Sequence, residues 1–167
     1  MTRLWAPWRM EYISDDDKSD VCIFCDKPAA DRDRENLILS KGKAVFVIMN
    51  RYPYNNGHLM ISPYSHVGAI EELSFDELLE ISLETKKAVR ILGHVMRPEG
   101  FNVGMNIGKA AGAGIDDHIH MHVVPRWNGD TNFMPVMSDI RVMSEHLDNT
   151  YMKLFSQYKK DEMGDAN

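Results

Sequence analysis

The stretch that most constrains this chain is His118-Ile119-His120-Met121-His122-Val123-Val124-Pro125, where three imidazoles alternate with apolar side chains. Successive side chains of a β-strand point to opposite faces. The pattern therefore predicts a strand with His118, His120 and His122 on one face and Ile119, Met121 and Val123 on the other. A helix would scatter the same residues around its axis, and the β-branched content with Pro125 as a stop further favours a strand. One face is then a site and the other a core. Neutral imidazoles in a row can bind metal, hold anions, shuttle protons or attack phosphorus. The pattern alone leaves these open.

The rest of the chain limits what such a strand can belong to. With 167 residues, 44% of them apolar, it can bury one substantial core. We read an N-terminal arm and linker (1–21), a single domain (22–158) and a frayed tail (159–167). No run of about eighteen apolar residues exists, so no membrane span and no membrane partner is expected. Cys22 and Cys25 lie too close together for an extracellular disulfide framework. Their C-x-x-C spacing suits metal or redox chemistry in a reducing compartment, and a cytoplasmic location is expected. A net charge of −6 disfavours a nucleic-acid partner but allows a small basic pocket for a polyphosphate.

In chain order, residues 1–13 are aromatic-rich without clean period, and residues 14–20 are polar and acidic, as in a linker. A charged turn or short helix follows from Asp26 to Glu35. Asn36–Ser40 and Ala44–Met49 form a β-hairpin in which Gly42 can supply the positive φ of a tight connection. The turn signal of 50–57 can place Asn50 and His58 at one edge, and His58–Tyr64 resumes as a strand. Ser74-Phe75-Asp76-Glu77 fits a capping box, followed by Leu78, Ile81, Thr85, Ala88, Leu92 and Val95 at helical spacing until Pro98 and Gly100. Phe101–Ile107 is a strand. The small-residue loop 108–114 allows close approach of backbone N–H groups to an anion. After Pro125 comes a loop, then a helix marked by Ile140, Met143, Leu147, Tyr151, Leu154 and Tyr158. His94 and His146, in the helical segments, are assigned no role. Five strands with a long helix between the third and fourth predict an α+β domain with a largely antiparallel sheet, one long helix and a C-terminal helix.

His118–Val124 fits, at every position, the His-φ-His-φ-His-φ-φ signature (φ apolar) of the histidine triad family, which the chain resembles. The segments NRYPYNNGHLMISPYSH, GFNVGMNIGKAAGAG and PRWNGDTNFMP resemble it too, so the likeness spans roughly residues 22–135. With LWAPWRMEYI at the start, it is most similar to the bacterial dinucleoside polyphosphate hydrolases and phosphorylases. The resemblance implies a HIT-like fold and cleavage of a dinucleoside polyphosphate, such as diadenosine tetraphosphate, through a nucleotidyl-histidine, with water or phosphate as acceptor. It implies His120 as nucleophile, His122 as the contact to phosphate or leaving oxygen, and His58 as support for the catalytic strand. It places Asn50 at the ribose and Asn106 near the phosphates. Many members carry Gln and Ser or Thr where this chain has Gly114 and Ile115. Lys109, the N–H groups of the Gly112–Gly114 turn or a partner chain are the replacements considered for leaving-group assistance.

Cys22, Cys25, His66 and His118 match a structural zinc site of some family members, and two thiolates with two imidazoles suit a closed tetrahedral site. The family also implies a homodimer through the long helix and a strand edge. Rival readings are a three-histidine metal centre, a redox or buried cysteine pair, hydrolysis of nucleoside phosphoramidates or adenylylated amines, and a zinc-stabilised nucleotide-binding module with little turnover.

Overall fold

The apolar runs expected as strands take their places in one sheet. The computed structural model describes residues 21–130 and 145–164. The aromatic arm, the acidic linker to Asp20, the helical positions Ile140 and Met143, and the last three residues lie outside them. A short helix α1 (Ile23–Ala29) leads into β1 (Ile38–Lys41), β2 (Val45–Met49) and β3 (Leu59–Pro63). The long helix α2 (Phe75–Met96) then crosses to β4 (Gly100–Met105), followed by β5 (Met121–Arg126) and α3 (Leu147–Gly164). The sheet has the order β1-β2-β3-β5-β4, and every neighbouring pair is antiparallel. This is the α+β architecture expected from the sequence.

β2 reads as an unbroken apolar run because both of its faces are covered. Val45, Val47 and Met49 pack with Ile81, Ala88, Ile91 and Leu92 of α2 and Tyr151, Leu154 and Tyr158 of α3. Phe46 and Ile48 face the other way, against Phe24 of α1 and Met60. The sheet therefore has a helix-covered face and a second face that, among the described residues, α1 caps. The histidines emerge on that second face.

α2 starts as the sequence indicates. The Ser74 side chain accepts from the Glu77 N–H at 3.3 Å, and the Glu77 carboxylate accepts from the Ser74 N–H at 2.8 Å. It stops at Arg97, whose φ of 50° caps it in the left-handed region, and Pro98 cannot continue a helix. Its buried stripe differs slightly from expectation: Ile91 is in and Leu78 is out.

Two further expectations change. Gly42 does not take a positive φ. A Cβ there would collide with the Glu80 carboxylate and stand 3.0 Å from the Val45 carbonyl oxygen, so the glycine is needed for close approach rather than for conformation. That carboxylate accepts from the N–H groups of Lys43 at 2.8 Å and Ala44 at 2.6 Å, tying the hairpin to α2. Residues 159–164, expected to fray, are helical. Ser40 donates to Glu162 at 3.1 Å and Arg90 pairs with Asp161 at 2.8 Å, which holds the last turns against β1 and α2.

Glu80→Ala removes a charged acceptor from two hairpin N–H groups, and its expected cost is about 1–3 kcal/mol. Urea denaturation measures it, and an unshifted midpoint would show that the clamp does not stabilise the hairpin.

Candidate active site and metal centre

The three alternating histidines are not all within a strand. β5 begins at Met121, and His118 and His120 lie in the segment that leads into it. The reason is Pro63, which has no N–H to continue the ladder past Ile61↔Met121. The Ile119 N–H bonds instead to the Val67 carbonyl at 2.7 Å. The alternation survives because burial, rather than the ladder, enforces it. Ile119 and Val123 enter the helix-covered core, while His118, His120 and His122 are buried on the α1 side, at 0%, 5% and 8% exposure.

Each ring nitrogen is assigned by what it faces, because connectivity fixes the tautomers. His120 Nδ1 lies 2.9 Å from the His118 carbonyl. A carbonyl only accepts, so Nδ1 carries the proton and Nε2 keeps a lone pair. The Phe24 ring packs 4.6 Å from this imidazole, centroid to centroid, and burial pushes the His120 pKa below the ordinary imidazole value. The ring is thus held neutral.

His58 and His122 form a second relay. The Tyr54 N–H donates to His58 Nδ1 at 3.1 Å, so His58 carries its proton on Nε2. That proton points at His122 Nδ1, 2.9 Å away, which leaves His122 with its own proton on Nε2. The Asn106 side-chain amide nitrogen is placed 3.5 Å from that atom, and with the amide turned over its oxygen would be the matching acceptor. Asn50 lies beside the relay, its amide 3.3 Å from His58 Nδ1, and its oxygen accepts from the Tyr52 N–H at 2.9 Å. The turn that presents His58 depends on Gly57, whose φ is 77°.

His120 and His122 open into a pocket of about 240 Å³, which Asn50 and Gly114 also line. The other expected contacts fall differently. His58 is buried behind His122. Asn106 reaches the site only through its approach to His122. Lys109 is 83% exposed and pairs with Asp116 at 3.6 Å. Gly112 takes a φ of 87° in the loop, and neither it nor Lys109 lines the pocket.

Lining residues not singled out from sequence include Phe24, Lys27, Arg51, Tyr52 and Tyr54. Their signal was adjacency: Phe24 sits between two candidate metal ligands, and Arg51 and Tyr52 follow Asn50. Among the described residues no carboxylate lines the pocket while Lys27 and Arg51 do, so this lining is cationic in a chain of net negative charge. Burial, then the nearby Arg51 guanidinium, lowers the Lys27 pKa.

Cys22, Cys25, His66 and His118 converge, their potential ligand atoms all within 4.8 Å of one another. Tetrahedral bonds of about 2.05 Å to nitrogen and 2.3 Å to sulfur place ligand atoms about 3.3 Å apart for two nitrogens and about 3.6 Å for nitrogen and sulfur. The two Nδ1 atoms are 3.3 Å apart, and three of the four nitrogen–sulfur separations are 3.3, 3.4 and 3.6 Å. The tautomer fits as well: His118 Nε2 donates to the Pro63 carbonyl at 3.0 Å, which turns the Nδ1 lone pair to the cluster. Asp117 lies 3.6 Å from His66 Nε2, the outer carboxylate that commonly orients a ligating imidazole. The four side chains can hold one metal ion.

Fold and site together define a class, an α+β protein whose sheet offers alternating buried histidines to a cationic pocket. The HIT domain family model matches residues 32–129, and the chain belongs to the HIT family. It is 38% identical over 168 residues to a Mycobacterium tuberculosis protein named AP-4-A phosphorylase, covering 96% of this chain and 86% of that one. It is 27% identical to an asymmetrical bis(5'-nucleosyl)-tetraphosphatase of Schizosaccharomyces pombe, covering 74% and 66%. A zinc-bound histidine triad family protein of Mycobacterium smegmatis shares the fold, with TM-score 0.68, 21% identity and coverage of 87% and 99%. Among the described residues no helix is long and apolar enough to cross a membrane.

Phe24 is 1% exposed and touches both His118 and His120. Phe24→Ala is expected to cost about 3–5 kcal/mol, read by chemical denaturation. A loss below about 1 kcal/mol would mean that α1 is held without it.

Proposed function

We propose that the protein cleaves dinucleoside polyphosphates by nucleotidyl transfer through His120, with inorganic phosphate as the acceptor. The observation that carries this reading is the bond from His120 Nδ1 to the His118 carbonyl, which leaves the Nε2 lone pair beside the pocket. His122, with its proton on Nε2, is a neighbouring donor. The substrate class and acceptor rest on the likeness to the M. tuberculosis AP-4-A phosphorylase.

In the first step Nε2 attacks the α-phosphorus. A P–N bond forms, the bridging P–O bond breaks, and the departing oxygen takes its stabilising hydrogen bond from His122. From diadenosine tetraphosphate the leaving product is ATP. In the second step a phosphate oxygen attacks the same phosphorus, the P–N bond breaks, and ADP is released. Water in that role would give AMP. Asn50 contacts the ribose, and Asn106 and Gly114 face the phosphates. His58 sets the His122 tautomer.

The metal is zinc, held by Cys22, Cys25, His66 and His118. Four protein ligands leave no open position, so the ion ties α1 to the histidine stretch. The thiols suit a reducing cytoplasm. The assembly is a homodimer: β4 ends the sheet with Val103 47% exposed, and Phe75, Leu79 and Leu83 of α2 are exposed on one stripe. An isologous pairing would cover both.

Incubation with diadenosine tetraphosphate and phosphate is expected to yield ADP and ATP, and His120→Ala to lower the rate by roughly a thousandfold or more. AMP with ATP, regardless of phosphate, would reassign the acceptor to water; turnover that survives the substitution would end the mechanism. Metal analysis is expected to find one zinc per chain, lost in Cys22→Ala, and retention of zinc there would reject the ligand set. Sedimentation is expected to give twice the chain mass at micromolar concentration; a lone monomer would reject the dimer.

A further inference from the structure

The pocket has a second chemical end that nucleotidyl transfer does not use. Lys27 stands one helical turn beyond Ile23 on α1, and Arg51 directly follows Asn50 at the end of β2; all four line the cavity. The connection between α1 and β1 holds the Arg51 guanidinium and the Lys27 backbone. Arg51 Nη2 donates to the Glu35 carbonyl at 2.8 Å, and the adjacent Asn36 amide donates to the Lys27 carbonyl at 3.1 Å. Among the described residues neither side chain forms an ion pair with a carboxylate, and none of the pocket's lining residues there carries one. Apart from the bond of Arg51 to the Glu35 carbonyl, these two donor-only groups have no acceptor among the described residues.

On the proposed function His120 and His122 meet the phosphates and Asn50 the ribose, which leaves Arg51 and Lys27 for the base. The lining also includes the apolar Ile23 and Met49. Such walls favour a flat ring over a second phosphate, which would lose hydration against them without return. A base that enters this slot meets two donors at its edge.

We propose that Lys27 and Arg51 form a base-reading pair that favours a nucleobase with two adjacent acceptors, guanine above adenine, in the nucleotide transferred to His120. This deepens the proposed function and rests on it. Guanine offers O6 and N7 together, the edge that Arg and Lys most often recognise. Adenine replaces O6 with an amine, which sets a donor against a donor. The discrimination expected from one such contact is roughly tenfold. The relative named for AP-4-A shares 38% of its residues, so adenine remains a substrate on this reading, and guanine is the better one.

The test compares kcat/KM for diguanosine and diadenosine tetraphosphate, with phosphate, in the zinc-loaded protein and in Lys27→Met, Lys27→Arg and Arg51→Met. The expected ratio favours the guanosine compound by roughly tenfold, falls toward one in both methionine variants, and is largely kept in Lys27→Arg. A wild-type ratio of one or below overturns the proposal. So does an equal loss with both substrates in Lys27→Met, since that marks a phosphate contact or a structural role. Calorimetric binding of GMP and AMP to His120→Ala separates this from the catalytic reading. If neither dinucleotide is cleaved but GMP binds tighter and Lys27→Met abolishes the difference, the pair stands and the nucleotidyl transfer falls; equal binding of GMP and AMP overturns the pair.

Discussion

His118 is the residue on which the site depends, and it does so without facing the pocket. Its Nε2 is held by the Pro63 carbonyl, its Nδ1 points at Cys22, Cys25 and His66, and its own carbonyl fixes the proton of His120. Three requirements converge on one residue. The first comes from the fold: Pro63 ends the ladder and leaves its carbonyl without a strand partner. The second comes from the metal cluster, and the third from the lone pair that the neighbouring imidazole must present. A shift of this peptide would move the His120 ring as well, because a single hydrogen bond sets both its tautomer and its rotation.

Phe24 and the cysteines extend this dependence to the pocket wall. α1 is a seven-residue helix, too short to hold itself by backbone bonds alone. It is fixed by a buried aromatic ring between His118 and His120 and by two thiols that flank that ring in sequence. Ile23 and Lys27 ride on the same helix and line the cavity. A metal at the thiol cluster would therefore stabilise the nucleotide pocket as well as the fold, and any ligand that packs on α1 would in turn favour metal retention. Among the described residues the histidine-bearing face has no other helix over it, whereas the opposite face of the sheet is covered by α2 and α3. The small helix with its cross-link does for one face what two long helices do for the other.

Much of this was legible in the sequence because burial imposes periods that survive local irregularity. The five strands, the capping box at Ser74 and Glu77 and the separation of Ile119 from the histidines all follow from alternation or helical spacing. The start of β5 was not legible, since it is set by a proline 58 residues earlier in the chain that fails to donate. Gly42 was misjudged for a related reason: its neighbour is Glu80, and only the folded hairpin reveals that contact. Lys27 and Arg51 escaped because isolated cations in loops and short helices usually face solvent, and nothing local announces that two of them converge on a cavity. The helical turns after Tyr158 depend on Ser40 and Arg90, again partners remote in sequence.

The surroundings of His120 bear on the acceptor as well as the nucleophile. Water must lose a proton to attack the nucleotidyl-histidine, and a side-chain base would have to take it. Gly114 and Ile115 offer none, and the relay from Tyr54 through His58 gives His122 a proton to donate at Nε2 rather than a lone pair to accept one. Inorganic phosphate is already ionised near neutral pH and needs no base. It also fits the place just vacated: contacts that stabilise the departing polyphosphate in the first step are, by microscopic reversibility, suited to an incoming phosphate in the second. Gly114 and Ile115, which supply no polar side chain before the histidine stretch, thus accord with the phosphate acceptor of the proposed function.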